Sequence, residues 1–183
     1  IHRVPAPGCP DDWSVRYLSV NEARIRAYCL CEARVKESDV ILTYLESHRH
    51  LLQGRPQCLH HGDYHVGNLM VAEDGSLSVI DWEPLDYDNY GDPWEEFNRI
   101  GNSEVHPHFT SGMIDGYFGG QPPEDFWRLL AFYLSAGVCM LVSWAFYAQK
   151  DELAFCTRHV HEVLHWFDNM NSCVPTWYFT GMK

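Results

Sequence analysis

His61-Gly62-Asp63-Tyr64-His65-Val66-Gly67-Asn68, followed by Asp81 in Val79-Ile80-Asp81-Trp82, decides the reading of this 183-residue chain. Four residues separate Asp63 from Asn68, a spacing that lets a short loop curl and aim both side chains into one space. Leu69-Met70-Val71-Ala72 then leaves as an apolar strand. Glu73-Asp74-Gly75-Ser76 makes a turn, with glycine where a positive φ suits it, and Leu77-Ser78-Val79-Ile80 returns as the second arm of a hairpin. The return brings Asp81 back beside Asn68. Two carboxylates and an amide gathered in this way have the composition that phosphoryl transfer requires. Asp63 would orient and deprotonate an acceptor hydroxyl, and Asn68 and Asp81 would hold magnesium against nucleotide phosphates.

Outward from the loop the pattern is mostly helical. Ser19 and Glu22 have the spacing of a capping box, which predicts a helix through about Arg34. A second helix is expected from near Ser38 to Leu52, stopped by Gly54-Arg55-Pro56, and Gln57 to His60 forms a short strand into the loop. Asp92-Pro93-Trp94-Glu95 combines an N-cap aspartate, proline at the first helical position and glutamate at the third, predicting a helix from 93 to about 100. Helices follow at roughly 108 to 118, 123 to 149 and 151 to 170. The expected fold is α+β and predominantly α-helical, a single domain over 1–183 with a small β-hairpin carrying the loop.

Three ordered elements carry a resemblance: His61-Gly62-Asp63 with Asn68, then Ile80-Asp81-Trp82, then Gly91-Asp92-Pro93 leading into Trp94-Glu95-Glu96-Phe97. Together, over roughly Trp13 to Lys183, the chain resembles the aminoglycoside phosphotransferase family, the small-molecule branch of the protein-kinase-like fold. The tripeptide alone recurs by chance; the three elements with the correct strands between them do not. The resemblance implies a kinase-like C-terminal lobe with Asp63 as catalytic base and Asn68 and Asp81 as Mg2+ ligands. It further implies that Asp92 braces the catalytic loop and that ATP or GTP is the donor. His61 would orient the loop through a backbone hydrogen bond, His65 would lie near the acceptor, and Glu83 is a lesser candidate for contact with a metal-bound water.

Kinases of this type also hold the phosphates under a Gly-rich hairpin and a strand lysine. Neither is visible here. The residues before the loop read as Pro-rich coil and helix, and Lys36, the sole lysine among them, lies in a helical stretch. Ile1-His2-Arg3-Val4-Pro5 resembles the end of a segment joining two lobes. The expectation is therefore a fragment, inactive alone, whose N-terminal nucleotide lobe lies upstream.

A content of 46% hydrophobic and 14% aromatic residues is far from disordered composition and supports one sizeable core. The net charge of −12, from 25 acidic and 13 basic residues, argues against nucleic-acid binding, which requires clustered Lys and Arg to neutralise phosphates. Glu83, Asp86, Asp88, Asp92, Glu95 and Glu96 form a strip without a basic residue. It suits a cationic acceptor, polyamine-like or aminoglycoside-like; the other reading is a solvated acidic loop. Seven cysteines, odd in number and without a C-x-x-C pair, point to a reducing cytoplasm. Leu129 to Ala148 is charge-free and reaches the ~20 residues of a membrane span. With Ser135, Gly137, Ser143 and two tyrosines, it reads instead as the central helix of a helical lobe.

His60, His61, Asp63 and His65 have the residue types of a zinc or dinuclear hydrolase site, which would leave Asn68, Asp81 and Asp92 without explanation. His161 and His165 share a helix face near His159 but lack an H-E-x-x-H pattern, and no G-x-S-x-G elbow occurs. A non-catalytic helical binding module retaining the loop as a relic is the remaining alternative, against which the intact Asp63, Asn68 and Asp81 argue. Substrate-binding residues are not legible, because specificity in such folds is set by helices and loops of variable shape.

Overall fold

The computed structural model describes residues 1–6, 8, 11–83, 89–101 and 106–179. Its elements are α1 (Trp13–Leu30), α2 (Asp39–His48), β1 (Cys58–Leu59), β2 (Leu69–Val71), β3 (Leu77–Val79), β4 (Tyr90–Gly91), α3 (Pro107–Phe118), α4 (Glu124–Ala148) and α5 (Leu153–Trp166). Short 3-10 segments lie at Lys36–Ser38, Arg49–Leu52, Val66–Asn68, Glu95–Gly101 and Lys150–Glu152. This mostly helical chain with small antiparallel ladders matches the expected α+β class.

The core is organised by α4, against which α1, α2 and α5 all pack. Its apolar residues surround the helix, so it needs partners on every side. Phe126, Leu130, Tyr133, Ala136, Cys139, Val142 and Ala145 have no exposed surface, and each large side chain so buried contributes about 1.5–3 kcal/mol. Although α4 is long and apolar enough to cross a bilayer, 72% of its most apolar window is buried inside the protein. Its core role is the expected one.

Helix α1 departs from expectation at both ends. It starts at Trp13, where the N-cap Asp12 accepts the Ser14 N–H at 2.8 Å, and it ends at Leu30. Ser19 is mid-helix, its hydroxyl returned to the Arg16 carbonyl at 2.8 Å, a local bond that serine makes as readily inside a helix as at its start. The segment after Asp92 is a 3-10 helix beginning at Glu95, not an α-helix from Pro93. Helix α5 stops at Trp166 because Asp168, Asn169 and Met170 all have left-handed backbone, with φ of 47°, 52° and 67°.

The hairpin pairs Leu69 with Val79, Met70 with Ser78 and Val71 with Leu77, the expected register, and Gly75 in its turn has φ of 81°. Strand β1 pairs with β4 through Cys58–Gly91 and Leu59–Tyr90. On its other side the Leu59 N–H donates to Val4 at 2.9 Å. The loop from His61 to Asn68 therefore leaves a strand clamped between the N-terminal segment and the approach to Asp92.

Candidate active site

The loop is built around Asn68, whose side-chain nitrogen donates to the Asp63 carbonyl at 2.9 Å and to Asp63 Oδ2 at 3.3 Å. The amide oxygen of Asn68 thus faces away from that carboxylate. His65 caps the turn Val66–Asn68 by accepting the Gly67 N–H on Nδ1 at 3.0 Å. This leaves Nε2 as the protonated nitrogen, 3.4 Å from Asp63 Oδ2. Asp63 itself keeps 37% of its side chain exposed.

Asp81 is brought alongside by the hairpin, with the Ile80 N–H donating to the Asn68 carbonyl at 3.0 Å. Its backbone is left-handed, φ 61°, a conformation aspartate tolerates better than most residues and one that concentrates at functional sites. The Asp81 side chain is exposed and takes no hydrogen bond or ion pair among the described residues. His61 ties the arms together from a fully buried position. Its Nε2–H donates to the Ile80 carbonyl at 2.9 Å and its Nδ1 accepts the Asp63 N–H at 3.3 Å, which fixes the neutral Nε2–H tautomer. Trp82 packs on the same ring, centroids 4.6 Å apart.

Beneath the loop, Glu96 makes the direct contact to its backbone. Glu96 Oε1 accepts the His61 N–H, and the Gly62 N–H at 2.9 Å, while Oε2 accepts from His2 Nε2 at 2.6 Å. Burial alone would raise this carboxyl, but the His2 hydrogen bond, the His60 ring and the Gly62 N–H together hold it below the usual range. Gly62 has φ of 89°, and a Cβ there would stand 2.5 Å from Glu83 Cγ. No side chain fits that turn without moving Glu83.

Asp92 touches the loop only through its carbonyl, which accepts from His60 Nε2 at 2.9 Å. Its fully buried carboxylate is turned the other way. It accepts from Arg55 at 2.7 and 2.9 Å, from the Tyr133 hydroxyl at 2.7 Å and from the Trp94 N–H at 3.0 Å. The guanidinium of Arg55 in turn lies 3.7 Å from the Trp94 ring centroid. Neither Arg55, the loop contact of Glu96 nor His2 was found by sequence reading. The one available signal was that a buried aspartate needs a cation, and Arg55 stands just before the strand that pairs with Gly91.

These engagements bear on the metal-hydrolase alternative. His61 and His65 each have both ring nitrogens committed, and His60 keeps only Nδ1, 3.7 Å from Glu95 Oε2. Among the described residues no group of three or more His, Cys, Asp or Glu converges for a metal. Asn68 and Asp81 do fit magnesium, which prefers oxygen donors and binds through one or two carboxylates plus phosphates and waters. His161 is near Glu37 at 3.7 Å, and the buried His159 is bonded to Glu162 at 2.6 Å.

The acidic strip divides. Asp92 and Glu96 are buried and paired, and Glu95 accepts from Asn98 at 3.1 Å. Removal from water pushes the Glu95 carboxyl up to about 7, with Arg99 opposing and Asp92 and Glu96 adding to the rise. Asp86 and Asp88 lie outside the described residues. The six described cysteines are all free thiols.

Residues 1–130 match the family model of the phosphotransferase enzyme family. The match includes the first twelve residues, which the motif resemblance left out, and ends within α4. No curated protein matches the chain.

Proposed function

Because the chain belongs to the phosphotransferase enzyme family, we propose that it is the C-terminal catalytic lobe of a kinase that moves the γ-phosphate of ATP or GTP to a hydroxyl of a small molecule. The observation that carries this reading is the contrast inside one motif set. Asp63 and Asp81 keep exposed carboxylates on the two arms that meet at Asn68, whereas the Asp92 carboxylate is taken up by Arg55 and Tyr133 and that of Glu96 by the loop amides.

In this reading Asp63 takes the proton of the acceptor hydroxyl as its oxygen bonds to the γ-phosphorus. The bond from that phosphorus to the β–γ bridging oxygen breaks, and the nucleoside diphosphate leaves. The Asn68 amide and the His65 ring, both on Asp63 Oδ2, orient the base and leave Oδ1 for the acceptor. The Asn68 oxygen and Asp81 would hold Mg2+, which when bound neutralises charge on the β and γ phosphates.

A phosphate-covering lobe outside these 183 residues belongs to the proposal. Lys36 and Lys150 sit in 3-10 turns of the helical region, and neither stands on a strand where it would meet phosphates. In the enzyme carrying both lobes, Asp63→Asn is expected to lower turnover by about 10²- to 10⁴-fold with nucleotide affinity nearly unchanged. Steady-state kinetics and nucleotide titration check both, and near-normal turnover overturns the assignment.

A further inference from the structure

Two cavities share a wall. One, of about 680 Å³, is bordered by Gly62 of the loop, by Glu83 and by Tyr17 of α1. The other, of about 670 Å³, continues between α1 and α4 to Trp144 and Tyr147. Asn21, Arg24, Glu95 and Arg99 line both, so the two form one groove leading away from the loop. Each half has the size of a small-molecule site.

The charge in this groove is not what the acidic composition suggests. Glu96 is committed to the loop amides and His2, and Arg16 is held by Gln57 and by the Tyr90 carbonyl at 2.8 Å. Arg24 and Arg99, both exposed, form no ion pair among the described residues. Glu95, which lines both halves, is half-buried, and removal from water pushes its carboxyl up to about 7. The Tyr17 hydroxyl, in a residue 3% exposed, has no hydrogen-bond partner among the described residues, an unmade bond that a ligand in the groove would supply. At the far end Trp144 and Tyr147 are 48% and 61% exposed, aromatic surface that α4 leaves uncovered.

We propose that this groove receives the phosphoryl acceptor, and that the acceptor is a hydroxylated molecule bearing an oxyanion, carboxylate or phosphate, which Arg24 and Arg99 hold while Trp144 and Tyr147 pack on its apolar part. Planar guanidinium groups match such oxyanions with paired hydrogen bonds. The word acceptor rests on the phosphotransferase reading; the ligand chemistry does not. It reverses the cationic preference inferred from the acidic strip.

Calorimetric titration of the full natural chain separates these readings with three probes of similar size: 3-phenyllactate, 2-phenylethyl phosphate and 2-amino-1-phenylethanol. The expected result is saturable binding of one or both oxyanions, at least about tenfold tighter than the amine, with the tighter of the two telling carboxylate from phosphate. Arg24→Ala combined with Arg99→Ala is expected to remove that preference, and Trp144→Ala to weaken binding several-fold. Both arginines and Trp144 are exposed, so the variants are expected to fold, as circular dichroism would show. Equal or tighter binding of the amine overturns the proposal, and so does oxyanion binding indifferent to the arginines. Absence of binding by every probe also overturns it, since the guanidiniums would then be answered by the chain's own carboxylates. Asp63→Asn should bind the oxyanion like the wild type, so a failure of the base assignment, read in turnover, stays distinct from a failure here.

Discussion

Asp92 and Asp81 belong to the same motif set, yet their surroundings are opposites. Asp92 is fully buried, and its two oxygens receive two bonds from Arg55, one from Tyr133 and one from the Trp94 N–H. Asp81 is exposed on a left-handed backbone, with no partner among the described residues. A carboxylate whose lone pairs are all answered builds the framework; one held open on a left-handed backbone stays available to groups that arrive from solvent. Membership of a motif alone does not tell the two apart.

Substitution tests this contrast most severely at the buried residue. Asp92→Ala leaves Arg55 largely buried without its carboxylate and is expected to cost about 3–5 kcal/mol, measured as the shift in urea midpoint at constant m-value. A loss below about 1 kcal/mol would put Asp92 in the same class as an exposed ion pair and erase the distinction.

Glu95 offers an intermediate effect with a pH signature. Burial pushes its carboxyl from the usual 4.5 up to about 7. Between those values the folded protein keeps a proton that the unfolded chain has released, so this group lowers stability as pH rises through the window, and the full penalty stands above 7. Glu95→Gln is expected to be more stable than the wild type at pH 8 by about 1–3 kcal/mol and nearly equal to it at pH 4. Urea titrations across that range would reveal it; identical curves would mean that Glu95 is solvated. Its neighbour Glu96, held below the usual range, works in the opposite sense, adding stability that is lost as pH falls through its lowered value.

The smallest stability change is expected at Asp81. Asparagine tolerates the same left-handed backbone, so Asp81→Asn should unfold within about 0.5 kcal/mol of the wild type. In an enzyme that carries the proposed nucleotide lobe it should still raise the magnesium concentration needed for half-maximal turnover. An unchanged magnesium dependence would remove Asp81 from the metal site and leave the contrast with Asp92 without its functional half.

The hairpin and the helical core were legible because each follows from local rules. The turn Glu73-Asp74-Gly75-Ser76 sets the register of β2 on β3, and the charge-free run of α4 admits few placements other than the centre. What could not be read were contacts between distant parts of the chain. His2 on Glu96 and Arg55 on Asp92 join residues with no shared period or spacing, so only folding discloses them. The Ser19 cap failed for a related reason: the spacing of Ser19 and Glu22 is correct, but Trp13 packs into the core and Asp12 caps ahead of it. Charge counted along a sequence does not tell which carboxylates turn inward, as Asp92 and Glu96 of the acidic strip do.

Helix α4 has one more consequence, and it concerns synthesis. A ribosome delivers α1 and α2 before α4, so two of the surfaces that cover this apolar helix already exist when it emerges, and α5 with the segments flanking it is still to come. The order of elements thus shields from the insertion machinery a segment that by composition would pass for a bilayer anchor. A circular permutant that moved the first sixty residues to the end would expose α4 for the length of their translation. Membrane association or aggregation of the nascent chain would compete with folding there, although every native contact remained available.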